Sequence, residues 1–274
     1  MSSARSLLLP RRPLGLLGAL GAAGTLFGAT RSAQAQSIDD ILNKKKLQAG
    51  TVQDMPPFSV VNASNQCEGY DVDVATLMAK YLGVDLELVP LTAPNRIPFL
   101  LTGKVDMLIA SLSITPERAR QVAFSIPYAT IEINVLAPKE TRITGAADLK
   151  GLKVGVSRAT IQDAAVTAIA PAGTRIMRFD DDASAVQAML SGQVDALGAN
   201  NLIALRIGEM NPSAHYEVKM VLRGSSRCGI SVRRGQTDLL QWVNTFVYFI
   251  KNNGELDTIS HKWFGTPLPE LPVF

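Results

Sequence analysis

The sequence predicts an α/β protein built on mostly parallel sheets. From Leu47 onward, short apolar runs typical of buried strands alternate with windows of helical periodicity. Such alternation favours parallel strands connected by helices. A second observation favours two similar lobes: the ten-residue segments 101–110 and 190–199 are identical at six positions. The alternative is a chance match, because junctions of helix, glycine and strand use few residue types.

The predicted elements follow these patterns. The strands are expected at Leu47–Thr51, Leu86–Val89, Val105–Ala110, Lys153–Val156 and Ala196–Gly198. The helices are expected at Asp71–Leu82, Ile161–Ile169, Asp182–Leu190 and Thr237–Asn252. Each copy of the repeat is interpreted as the end of a helix, a glycine turn and a buried strand.

Composition excludes a disordered or fibrous chain, since 274 residues with 47% hydrophobic and 19% charged side chains are ordinary for a globular protein. The formal charge of +3 comes from residues 1–35, which contain four arginines and no acid. Subtracting these four from 27 basic residues leaves 23 against 24 acidic ones. We therefore expect no nucleic-acid partner, because such binding depends on clustered positive charge.

The first 35 residues predict an export signal. Basic residues precede the apolar stretch Leu14–Ala29, and Ala33-Gln34-Ala35 supplies a small-x-small cleavage pattern before Gln36. A membrane-spanning helix is the alternative, but this stretch is short and rich in glycine. We expect the mature protein in the periplasm. The pair Arg11-Arg12 leaves the choice between the general and the twin-arginine export routes open.

Catalytic and metal-binding patterns are weak. His215 and His261 are the only histidines, and neither has another ligand at metal-binding spacing. Ser157 lies in a loose likeness of a nucleophile elbow, but a turn leading into a helix is the preferred interpretation. The sequence therefore predicts no cofactor, no metal and no enzyme activity.

One helix start predicts an anion site. Thr115 and Pro116 are typical of the first positions of a helix. Arg118 then falls in the first turn, where the helix dipole disfavours a cation unless an anion is bound. Ser111 and Ser113 follow a predicted strand, at the end of a sheet where ligands bind in open α/β folds. The alternative for Arg118 is a solvated surface side chain.

A second helix start lies in the other half of the chain. Thr160 precedes Asp163 by three residues, a capping pattern that leaves N–H groups ready for an anion. Asn200 follows the second strand of the repeat. One carboxylate held from both lobes would keep a cleft closed, which is ligand binding without chemistry.

Several motifs resemble those of the family 3 solute-binding proteins of ABC transporters for polar amino acids. They are residues 54–58, 69–79, 111–118, 124–128 and 262–265, in the family's order and spacing. The resemblance covers almost the whole mature chain.

This resemblance implies a two-lobed periplasmic binding protein fold of type II, with a hinge of two strands. Residues 1–35 would be the signal peptide, 36–136 plus 229–274 the first lobe, and 137–228 the second. It also implies a small-molecule ligand, an amino acid or related carboxylate, a membrane ABC permease as partner, and a monomer.

The resemblance also implies roles in the ligand site. Arg118 would bind the α-carboxylate with Ser113 and Thr160. Asn200 stands where relatives carry the acid that receives the α-ammonium group, and Asp54 would compensate or instead cap the following loop. Met55 stands at a position where relatives place an aromatic ring.

Arg96 lies in a segment similar to one of the glutamate- and aspartate-binding branch, which implies a second carboxylate on the ligand. The alternative is an arginine that starts a helix and faces solvent. Cys67 and Cys228 either form a disulfide, as an oxidising compartment favours, or are two free thiols. The rival function is a cyclohexadienyl dehydratase on the same fold, whose cleft acid would be Asp54.

Overall fold

The computed structural model describes residues 38–272 except 54, 63, 211–214 and 268, and it omits the side chains of 208–210. The predicted signal peptide, its cleavage site and Asp54 lie outside the described residues. The strands are β1 Lys46–Val52, β2 Val60–Val61, β3 Cys67–Glu68, β4 Asp85–Leu91, β5 Met107–Leu108, β6 Val122–Pro138, β7 Lys153–Ser157, β8 Arg175–Phe179, β9 Ala196–Asn200 and β10 Tyr216–Arg233.

The helices surround these strands in chain order. They are α1 Ile38–Lys44, α2 Tyr70–Leu82, α3 Arg96–Leu101, α4 Pro116–Ala119, α5 Ile161–Ile169, α6 Asp182–Leu190, α7 Asn201–Met210, α8 Thr237–Asn252 and α9 Glu255–Phe264, with short 3-10 turns at Ala93–Asn95 and Ala146–Leu149. None of the helices in the described part of the chain is long and apolar enough to cross a membrane.

One eight-stranded sheet runs in the order β4-β1-β5-β10-β6-β9-β7-β8. At one end β1 pairs in parallel with β4 and β5, and at the other end β7 pairs in parallel with β8 and β9. We call the part built on β1, β4 and β5 the first lobe and the part built on β7, β8 and β9 the second lobe. The α/β prediction is confirmed.

Two long antiparallel strands, β6 and β10, connect the lobes. They pair with each other along most of their length, with several register shifts. Strand β10 also pairs with β5 of the first lobe, where Ser231 meets Leu108, while β6 pairs with β9 of the second lobe. The boundaries expected at 136/137 and 228/229 fall inside these two strands, and the division itself stays a prediction.

The apolar cores follow the same division. A large cluster in the first lobe includes Tyr70, Met107 and Phe246. Two smaller clusters, around Met189 and Val154, lie in the second lobe. Strand propensity and a buried face on each side of the sheet account for these elements.

The repeated segments adopt the same local structure. The Asp106 carboxylate accepts the N–H of Gln48 at 2.8 Å, and the Asp195 carboxylate accepts the N–H of Lys153 at 2.7 Å. The main-chain N–H of each aspartate in turn donates to the carbonyl of the same partner at 2.8 Å. Each aspartate thus fixes the start of a neighbouring parallel strand, and this shared arrangement confirms that the repeat is structural.

Candidate functional site

A small cavity with about 270 Å³ of empty space, part of it open to solvent, lies where the two lobes meet. Its first-lobe side contains Met55, Ala93, Arg96, Ser111, Ser113 and Arg118. Its second-lobe side contains Thr160, Ile161, Gln162 and Asp182, and Ile131 of β6 completes the lining. The structure therefore brings six of the predicted ligand residues together: Met55, Arg96, Ser111, Ser113, Arg118 and Thr160.

Arg118 is held by the helix start that the sequence predicts. The Thr115 hydroxyl accepts a hydrogen bond from the main-chain N–H of Arg118 at 3.3 Å, and Pro116 occupies the first helical position. The guanidinium donates from Nη1 to the Ser113 carbonyl at 3.0 Å and from Nη2 to the Ala159 carbonyl at 3.2 Å. Burial lowers the pKa of Arg118 from its usual value. The side chain crosses from one lobe to the other.

Arg96 is buried, so the alternative of a solvated arginine is wrong. Its side chain is 4% exposed. Nε donates to the Ala93 carbonyl and Nη1 to the Ala110 carbonyl, both at 3.1 Å, and Nη2 to the Ala159 carbonyl at 3.4 Å. Burial and the neighbouring charge of Arg118 lower the pKa of Arg96 to about 10, so the group stays cationic at neutral pH.

The carbonyl oxygen of Ala159 accepts from both arginines. Ala159 has a positive φ of 57° and lies in the loop between β7 and α5. Among the residues that the structure describes, both guanidinium groups donate only to main-chain carbonyls. The cavity therefore carries two concentrated positive charges that no hydrogen-bonded carboxylate from this part of the chain neutralises.

Thr160 caps α5 as expected. Its hydroxyl accepts the N–H of Asp163 at 3.2 Å and donates to the Ser157 carbonyl at 2.6 Å. The first residues of α5, Ile161 and Gln162, line the cavity with their N-terminal turn. The positive end of the helix dipole adds to the field of the arginines.

Ser111 is fixed from behind by Asp71, a residue of the signature motif that sequence analysis did not assign to the site. Ser111 has a φ of 47°, and its hydroxyl donates to Asp71 at 2.8 Å. The Tyr128 hydroxyl donates to Asp71 at 2.7 Å and accepts the Ser111 N–H at 3.0 Å. Burial raises the pKa of Asp71 to about 7, although both hydroxyl groups oppose the shift. This network holds Ser111 in its strained conformation.

The cysteines are free thiols, so the second of the two alternatives holds. Cys228 is fully buried in β10, where its thiol donates to the Ser111 carbonyl at 3.4 Å and lies 3.9 Å from the Ser113 hydroxyl. Cys67 belongs to the separate two-stranded ribbon of β2 and β3. Burial raises the pKa of Cys228 to about 12, so the thiol stays protonated behind the ligand loops.

Asp182 is the carboxylate of the cavity that sequence analysis missed. It is the first residue of α6 and is 9% exposed. Burial raises the pKa of Asp182 to about 6, while the positive charge of Arg96 opposes the shift. The run Asp180–Asp182 carries the only sequence signal. Asp181 takes the N-cap, accepting the Ser184 N–H at 2.7 Å, and Asp182 is left to face the cavity.

Asn200 does not line the cavity. Its side-chain oxygen accepts the N–H groups of Leu202 at 3.0 Å and Ile203 at 2.9 Å, so it caps the start of α7. The Asn200 oxygen, which was expected to accept from an α-ammonium group, is therefore already hydrogen-bonded within the protein.

The cavity presents charges of both signs. Two cations belong to the first lobe, one carboxylate belongs to the second, and the groups share one cavity. In the described ranges no three His, Cys, Asp or Glu side chains cluster as metal ligands do.

The sequence model of the bacterial extracellular solute-binding proteins, family 3, matches residues 47–266. The chain belongs to this family. It is similar to the L-cystine-binding protein TcyJ of Escherichia coli K12, with 30% identity over 92% of this chain and 96% of the relative. The solute receptor for L-cysteine of Neisseria gonorrhoeae has 31% identity, a TM-score of 0.78, and coverage of 83% of this chain and 93% of the receptor.

A third similar structure is an ancestral amino acid-binding protein described as a precursor of cyclohexadienyl dehydratase. It has 34% identity and a TM-score of 0.77, with coverage of 83% of this chain and 99% of the ancestor. These likenesses confirm the predicted type II periplasmic binding protein fold. They also confirm the resemblance to amino acid-binding components of ABC importers.

Proposed function

We propose that this family member binds a free amino acid as a zwitterion between its lobes and delivers it to a membrane ABC permease. The proposal rests on one observation: Arg96, Arg118 and Asp182 line the same cavity between the lobes. The names of the relatives support an amino acid as the ligand class.

The ligand carboxylate is assigned to Arg118. Two N–H groups of its guanidinium are used by the carbonyls of Ser113 and Ala159. The others have no hydrogen-bond partner among the described residues and would serve a carboxylate. Arg96 donates to the same carbonyl of Ala159 as Arg118 does, so its positive charge also lies near the ligand carboxylate. A second carboxylate on the ligand is not required by this geometry.

The ligand ammonium group is assigned to Asp182. This carboxylate faces the cavity from the second lobe, whereas the oxygen of Asn200 is engaged in capping. A charged acceptor in a buried site pairs with an ammonium group far better than a neutral amide does. With an acid on one lobe and arginines on the other, the ligand bridges the cleft and stabilises closure.

The test is calorimetric titration of the purified, ligand-free protein with a panel of amino acids. Arg118→Met should abolish measurable binding, a loss of several kcal/mol (roughly 2–5) because the carboxylate would be buried without its partner. Asp182→Asn should strongly weaken the binding of amino acids but leave the binding of carboxylates that lack an amino group nearly unchanged. Arg175→Met, at an exposed arginine of β8, is the matched control. Unchanged affinity in both site variants would contradict the proposal.

The family supports a setting outside the cytoplasm. We propose export to the periplasm with cleavage near Ala35, and action there as a monomer without a nucleic-acid partner. Sizing of the secreted protein and sequencing of its N-terminus test these points. A mature chain that begins well before Gln36 would contradict the cleavage assignment.

A second candidate is cyclohexadienyl dehydratase activity, favoured by two observations. A similar structure is described as a precursor of that enzyme, and Asp182 is a cavity acid whose raised pKa of about 6 suits proton donation. The test is release of phenylpyruvate from prephenate by the purified protein. Release that is lost in Asp182→Asn would replace the transport proposal with the enzymatic one.

A further inference from the structure

A second, larger space adjoins the ligand cavity. It encloses about 800 Å³, part of it open to solvent. Its apolar walls are formed by Pro56, Val60, Val186, Leu190, Ile203 and Ile207. Residues of the first lobe face helices α6 and α7 of the second, so we call this space the interlobe groove.

The groove and the ligand cavity share part of their walls. Asp182 lines both spaces, and the chain neighbours Met55 and Pro56 line one space each. On α6 the groove continues from Asp182 through Ala183, Val186 and Leu190, which lie on one face of the helix. A ligand whose ammonium group pairs with Asp182 therefore has the entrance of the groove beside it.

The groove has the chemistry of a side-chain subsite. Its central walls are aliphatic, and its charged members within the described part of the chain are Asp182 at the entrance and Arg206 on α7. Arg206 is exposed, so pairing it with an acidic end group would contribute little. A cationic end group would instead approach a like charge.

Resting on the proposed function, we infer that the interlobe groove receives the side chain of the bound amino acid and selects an elongated, uncharged and mainly apolar one. Both lobes form its walls, so a side chain placed there is buried only when the cleft closes. Apolar contact then adds to closure beyond what the zwitterion itself contributes.

The first test is a chain-length series measured by calorimetry: alanine, 2-aminobutyrate, 2-aminopentanoate and 2-aminohexanoate. We expect the Kd to fall about fourfold for each added methylene, or about 60-fold across the series. Lysine has the carbon skeleton of 2-aminohexanoate plus a terminal ammonium group. It should bind at least roughly tenfold more weakly, because its terminal ammonium group would lose hydration among aliphatic walls without a carboxylate beside it.

The second test fills the groove. Ala183→Phe places a ring in it, and Ala168→Phe is the matched control at an exposed alanine of α5. In the first variant the ratio of the Kd of alanine to that of 2-aminohexanoate should collapse toward one, whereas the control should keep the wild-type ratio.

The failures are distinguishable. If no amino acid in the panel binds, the proposed function is wrong. If amino acids bind but affinity does not depend on chain length, or if lysine or glutamate binds more tightly than 2-aminohexanoate, the groove inference is overturned while the proposed function stands. An Ala183→Phe protein that keeps the wild-type ratio overturns the inference as well.

Discussion

The guanidinium of Arg118 in the first lobe donates to the carbonyl of Ala159 in the second lobe at 3.2 Å. The contact joins the residue assigned to the ligand carboxylate with a loop whose backbone lies in the left-handed region. The contact therefore places Arg118 at the junction of the two lobes.

Ala159→Val should lower amino acid affinity by about tenfold, because a β-branched residue adopts a positive φ only with additional strain. Ala159→Gly is the control and should keep affinity within a fewfold of the wild type, since glycine adopts this conformation freely. Calorimetry gives the affinities, and small-angle scattering of the ligand-saturated proteins reports closure. Equal affinities in the two variants would show that the loop conformation does not matter.

Affinity should fall in acid because of Asp182. The pKa of this group in the free protein is raised to about 6, and a paired ammonium group favours its ionised form. As the pH falls through 6, proton binding competes with the ligand, and the Kd should rise by up to tenfold per pH unit. Titrations in a series of buffers measure this. In Asp182→Asn the Kd should not change between about pH 5 and 7. If the Kd of the variant rises in acid as much as that of the wild type, a different group causes the pH dependence.

The pH dependence of the free energy of unfolding should reveal the raised pKa of the buried Asp71. Its pKa is raised to about 7 in the folded protein, so the folded state binds more protons than the unfolded state. The free energy of unfolding contributed by this group therefore falls as the pH rises between about 4 and 7, by up to ~1.4 kcal/mol per pH unit. Urea unfolding measures the free energy of unfolding of the wild type and of Asp71→Asn. The value for the wild type minus that for the variant should fall as the pH rises from about 4 to 7. A difference independent of pH would contradict the raised pKa.

Strand β9 should not tolerate a methyl group at Gly198. A Cβ atom there would lie 2.7 Å from Val166 Cγ2 and 2.9 Å from Val156 Cγ1. Gly198→Ala should therefore lower the free energy of unfolding by about 1–3 kcal/mol. Gly145→Ala is the matched control, because a Cβ atom at that position would have no described atom beyond its chain neighbours within 4 Å. Equal unfolding midpoints in urea for the two variants would show that the second-lobe core relaxes around the methyl group.

The locally coded elements were predictable from sequence. Helices α5 and α6 have the expected bounds, Ile161–Ile169 and Asp182–Leu190, because capping residues and apolar periodicity mark both ends. Strand β5 is shorter than expected, at Met107–Leu108. The preceding Asp106 bends toward Gln48 instead of continuing the strand.

The long strands were not predictable in the same way. Strand β10 contains Arg223-Gly224-Ser225-Ser226, which has the composition of a loop, yet it pairs with β6 through register shifts. The choice among Asp180, Asp181 and Asp182 is likewise tertiary, since only the packed lobe decides which acid is turned into the cavity. The positions of Arg118 and Thr160 at the cavity were accessible because helix-start chemistry is local, whereas Arg96 was accessible only through the family resemblance.

The pairing of β10 with β5 has a consequence for biosynthesis. The strands of the second lobe are consecutive in the chain, whereas the first lobe needs Ser231 to meet Leu108. A chain that emerges N-terminus first therefore contains β7, β8 and β9 before β10, the last partner of β5, has appeared. Contacts so distant in sequence form slowly. The apolar cluster around Met107 includes Ile230 and Val232 of β10, so it is covered only after that strand has emerged.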